Sequence, residues 1–127
     1  MPIQVNVDAS GGFAVLTFTD PYTFDQWREA MQTMLDSIVY GATAAVLVDR
    51  RTATPPSFEF IDRMMAFFSS NEDRLRKGRA AIVVDEAVAF GIGRMVELKA
   101  QAAAPSLLVR VFRDYDSAAR WLRRPYM

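Results

Sequence analysis

The chain has 127 residues, 51% of them apolar and 24% charged, a composition for one globular domain that buries a core without staples. It has no cysteine and no histidine. That excludes disulfides, thiolate nucleophiles, cysteine metal sites and the side chain best suited to acid–base work near neutral pH.

Ile3, Val5 and Val7 alternate with Gln4, Asn6 and Asp8, which predicts a half-buried strand. Ser10-Gly11-Gly12 supplies a permissive hairpin turn. Residues 13–19 (FAVLTFT) predict a second strand, more apolar and so further inside the sheet. After the break at Asp20-Pro21-Tyr22, Thr23 starts a helix with Gln26 as its capping-box partner. Phe24, Trp27, Met31, Met34, Leu35, Ile38 and Val39 fall within about 140° of a helical wheel, a core-facing stripe. Gly41 is the expected stop.

Residues 44–48 (AAVLV) predict a buried parallel strand ending at Asp49. A polar loop, residues 50–56, leads to Ser57, the expected N-cap of the next helix. On that helix Phe58, Phe60, Ile61, Met64, Met65, Phe67 and Phe68 cover about 180°, wider than a surface helix needs. Two arrangements account for this width: burial on two sides within one chain, or a face shared with a second subunit. The reading adopted is a homodimer.

Residues 71–78 are charged and close the unit. Residues 80–84 (AAIVV) predict another buried strand, ending at Asp85, which is placed to start a helix within 86–103. In that helix Gly91 shares a wheel sector with Val88, Met95 and Leu98 and reads as a close-packing position. Phe90 either turns inward, if the helix begins late, or is an exposed contact residue; the inward placement is preferred. Residues 107–112 (LLVRVF) predict the last strand. Asp116 is the expected cap of a final helix with Ala118, Trp121 and Leu122 inward and Arg120, Arg123 and Arg124 outward.

The order is β-β-α-β-α-β-α-β-α. It predicts a single α/β domain over residues 1–127, with a mostly parallel five-stranded mixed sheet, an antiparallel hairpin strand at an edge, and four helices. This order at this length resembles the STAS domain of anti-sigma factor antagonists and small stand-alone bacterial proteins of that fold. The segments VLVDRRTATPPS, AAIVVDEAVAFGIGRMVE and VRVFRDYDSAARWL carry the resemblance. It implies a non-enzymatic regulatory module acting through a protein partner, with Ser57 at the position phosphorylated by a partner kinase. Pro56 before it and Phe58-Glu59-Phe60 after it depart from that family's pattern, so Ser57 reads first as a helix cap. The expected interaction surface comprises Arg51, Thr54, Ser57, Phe58 and Phe90. The same fold group holds lipids and other apolar ligands, and the alternative is a small apolar-ligand or lipid carrier with a pocket lined by Phe58, Met64, Phe68 and Met95.

Other chemistry is weaker. Asp49 and Asp85 end strands and could converge for acid–base work or magnesium binding, but they read as caps or partners of arginines. Gly91-Ile92-Gly93 lacks the third glycine and the strand-to-helix position of a nucleotide loop. No cofactor is expected. The charge divides into −5 over residues 1–49 and +5 over residues 50–127, read as a mixed solvated surface with a solubilising set at Arg110, Arg113, Arg120, Arg123 and Arg124. Fifteen bases balance fifteen acids, so no nucleic-acid partner is expected. With no apolar run near the ~20 residues of a membrane span and no basic leader at the N-terminus, a cytoplasmic location is the expectation.

Overall fold

The computed structural model describes residues 2–10 and 12–123; Gly11 of the expected turn and Arg124 of the expected arginine set lie outside the described residues. Five strands, β1 (Ile3–Val7), β2 (Ala14–Thr19), β3 (Ala45–Thr52), β4 (Arg79–Val83) and β5 (Leu108–Phe112), form one sheet in sequence order. β1 pairs antiparallel with β2 at one edge, and the other pairings are parallel. The helices are α1 (Phe24–Leu35), α2 (Ile38–Thr43), α3 (Phe58–Ser70), α4 (Glu72–Leu75), α5 (Ala87–Ala103) and α6 (Tyr115–Arg123). The α/β class and the mixed five-stranded sheet with its hairpin edge are as expected; among the described residues six helices stand where four were predicted.

Each parallel step moves one strand along in the same direction. Crossovers of constant hand then bring every connecting helix to one face of the sheet. Residues of α1 and α3 share a core with Leu16, Phe18 and Val46 on that face. Among the described residues α6 alone covers the other face, where Ala118, Ala119 and Leu122 meet Phe13, Val15, Leu47, Ala81 and Val83. Strand alternation sorts neighbours to opposite sides: Val46 and Val48 lie under the connecting helices, Ala45 and Leu47 under α6.

The extra helices have local causes. Thr23 and Gln26 form the expected capping box. Ser37 then restarts the chain as a second N-cap, accepting from the Tyr40 N–H and donating to the Met34 carbonyl. The restart shifts the helical phase, so Tyr40 is buried and Ile38, expected inside, is 90% exposed. Gly41 lies within α2; the stop is Ala44, in the left-handed region at φ 51°. The charged stretch after α3 contains the single turn α4, which buries Leu75.

Further along, α5 buries a different stripe from the one expected. Gly93, Val96 and Ala100 face inward, while Val88 and Leu98 are each 70% exposed. A Cβ on Gly93 would stand 2.5 Å from a methyl of Val111, whereas one on Gly91 would meet nothing. The close-packing glycine is therefore Gly93, and small residues mark the face because α5 lies tight on β5. Asp85 is not the cap: Glu86 holds that position, without a side-chain cap bond. The carboxylate at the start of α6 is Asp114, which accepts from the Ser117 N–H, so Asp116 is displaced from that role. Trp121 is only half-buried, and Ala119 takes the inward position. Arg79 secures the far end of α6 by donating to the Trp121 and Leu122 carbonyls at 3.0 and 2.9 Å.

Candidate functional site

The connecting helices and the sheet enclose an apolar cavity of about 80 Å³. Its floor is Val46 and Val48 of β3, Ala80 and Ile82 of β4, and Val109 of β5. Met64, Phe67 and Phe68 of α3 roof it, Trp27 and Met31 of α1 close one side, and Ile92, Gly93 and Val96 of α5 close the other. Val48, Ala80 and Ile82 are only half-buried despite their place on central strands. α3 is held by its neighbours α5 and α1, through edge-to-face pairs of Phe60 and Phe67 with Trp27 at 6.3 and 5.2 Å. The broad apolar face of α3 is thereby divided between α1, α5 and the cavity, all within one chain. Phe58 is the exception, at 68% exposed.

The mouth of the cavity lies at the carboxyl ends of β3 and β4, among Arg50, Ala53, Pro55, Pro56, Val84 and Ala89. Open α/β sheets bind ligands at this edge. β3 runs three residues beyond its expected end at Asp49, because Thr19 pairs with Thr52 after a register shift and the Thr52 hydroxyl donates to the Phe18 carbonyl. The loop is therefore shortened to residues 53–57. Thr54 pins it: both its N–H, at 2.7 Å, and its hydroxyl donate to Asp20. Those bonds hold the Asp20 carboxyl below its ordinary pKa, with the Arg50 charge adding to the effect. Arg50 donates to the Thr54 carbonyl at 2.6 Å and lies over the rings of Phe18 and Tyr22, 5.0 and 5.5 Å from their centroids. Burial raises the Tyr22 hydroxyl pKa against the opposing pull of Arg50.

Thr54, Ser57 and Phe58 are brought together at this mouth. Ser57 is an exposed N-cap whose hydroxyl accepts from the Phe60 N–H at 3.1 Å. Arg51 is not with them. It points to the α6 face, gripping Asp49 with two bonds at 2.9 and 2.8 Å and lying 5.6 Å from the Tyr115 ring centroid. Burial would raise the Asp49 pKa, but the bonds from Arg51 outweigh it and the net shift is downward. Asp49 is thus engaged by Arg51, and Asp85 is exposed; among the described residues no cluster of acids is arranged to hold a metal ion. α5 begins at Ala87, and Phe90 on its first turn is half-buried. Met64 and Phe68 line the cavity as expected, whereas Phe58 and Met95 do not. Arg50 was expected in the loop at this sheet edge; the structure places it on β3 itself, at an even spacing from Val46 and Val48.

Comparison with protein-family models, with curated proteins and with solved structures found no match. Among the described residues no helix is long and apolar enough to cross a membrane.

Proposed function

We infer that this chain is a non-catalytic binding domain that takes a small apolar molecule into the cavity beneath α3. The observation that carries the reading is the partial exposure of Val48, Ala80 and Ile82 on central strands, where a filled core would leave such residues dry. Met31, Met34 and Met64 line the space with flexible, polarizable side chains that adapt to a guest. The STAS-like relationship belongs to the same proposal and is supported by the hairpin followed by strand–helix units in sequence order. The test is a methyl-detected NMR titration with toluene. Saturable shifts of the Met31, Met34 and Met64 methyls, lost when Ala80→Leu fills the cavity, are expected. Methyl signals that do not move, or that move without saturation, overturn the reading.

A second reading, a regulatory or interaction module contacting a protein partner or a second copy, is favoured by two exposed residues. Phe58 (68%) and Val88 (70%) stand on the first turns of α3 and α5, at the same sheet edge as the mouth. Sedimentation velocity is expected to show a dimer that Phe58→Ser weakens. A monomer at micromolar concentration removes the homodimer.

A further inference from the structure

We propose that the guest of this cavity is an amphipathic carboxylate, its apolar tail under α3 and its head on Arg50. This rests on the cavity being a binding site, and it assigns the ligand class. Among the described residues Arg50 is the one charged side chain in the cavity wall; Trp27 and Tyr40 are the other side chains with a hydrogen-bonding group, and Tyr40 lies toward the closed end, beside Leu75 and Leu107. A guest therefore meets mostly apolar surface, and at the mouth it meets a cation.

The guanidinium is oriented and incompletely used. Its central carbon lies 5.0 and 5.5 Å from the Phe18 and Tyr22 ring centroids, and its Nη2 donates to Thr54. Among the described residues it takes part in no ion pair, since Arg28, Arg51, Arg74, Arg76, Lys99 and Arg123 supply those that form. The nearby acid, Asp20, is committed to Thr54. A half-buried fork with spare donors matches a planar carboxylate, which accepts two parallel bonds. Size limits the tail: with roughly 10–15 Å³ of such space per water-sized atom, 80 Å³ holds about five to eight non-hydrogen atoms. The class is thus a short- to medium-chain aliphatic or small aromatic acid.

The test uses octanoate and its uncharged counterpart 1-octanol, titrated against the intact chain and followed by the fluorescence of Trp27 in the cavity wall, with Trp121→Phe removing the second tryptophan. Octanoate is expected to bind the tighter of the two. Arg50→Met is expected to weaken octanoate by about tenfold or more while leaving octanol within about twofold, and Arg50→Lys to retain most of the preference. Raising salt on the unsubstituted protein is expected to weaken octanoate alone, a readout that does not depend on any Arg50 variant folding. If octanol binds as tightly as octanoate, or the salt and Arg50→Met responses of the two coincide, the carboxylate assignment falls and the apolar cavity stands. If neither ligand binds, the cavity reading fails and this assignment with it.

Discussion

The two faces of the sheet are built by opposite means. Under α6, the small side chains Ala81, Ala118 and Ala119 let helix and sheet approach closely, and Phe13, Leu47 and Leu122 are sealed between them. Under α3, the facing side chains are Phe and Met, long enough to prop the helix on α1 and α5. The gap beneath it is the cavity. More apolar mass on a helix therefore does not mean a tighter core; small residues make the denser seam. The tight face also carries a polar clasp. Asp8 accepts from the Tyr115 hydroxyl at 2.8 Å and from Arg123 at 3.2 Å, tying α6 to the end of β1.

Adjacent residues on β3 and β4 test the contrast directly. Leu47→Ala, in the sealed seam, is expected to cost about 3 kcal/mol in urea unfolding, and Val48→Ala, beside an existing void, about 1 kcal/mol or less. Equal losses would break the comparison. The reverse pair sharpens it. Ala81→Leu overpacks the α6 seam and is expected to cost about 2 kcal/mol, while Ala80→Leu grows into the cavity and stays within about 0.5 kcal/mol or stabilises.

A smaller effect follows from the clasp. The bonds from Ser10, joined by those from Tyr115 and Arg123, outweigh burial and lower the Asp8 pKa to about 2. A folded-state pKa below the unfolded value of about 3.9 adds stability that is present above that value and lost as pH falls towards 2. Asp8→Asn is therefore expected to shrink the difference in melting temperature between pH 5 and pH 2; an unchanged difference removes the bonds to Asp8 from the account. Smallest is the cap at the cavity mouth. Ser57→Ala is expected to cost about 1 kcal/mol and Ser57→Gly only a few tenths. Equal costs would show that the hydroxyl bond to Phe60 carries little.

Much of this was legible in the chain. Alternation and apolar runs marked all five strands, the Thr23–Gln26 box marked α1, and the order of elements implied the sheet class, because these signals act between residues a few positions apart. The inward face of α5 was not legible. Wheel analysis weights large apolar side chains, and the buried stripe of Gly93, Val96 and Ala100 is chosen by how near β5 lies. The restart at Ser37 was equally hidden, since one capping serine shifts the phase of everything after it.

By itself, then, the sequence determined that α3 would carry an apolar half-circumference and that Ser57 would begin it. Only the tertiary structure decided what that face meets: α1, α5 and a void, with Phe58 left in water. Side-chain pattern states how much surface must be covered, while the distances between elements, set by long-range packing, state what covers it. The same division separates two adjacent arginines. Arg50 and Arg51 read as loop residues in the sequence, yet the pairing of Thr19 with Thr52 keeps them in β3, and strand alternation sends one to the cavity mouth and the other to Asp49 on the opposite face.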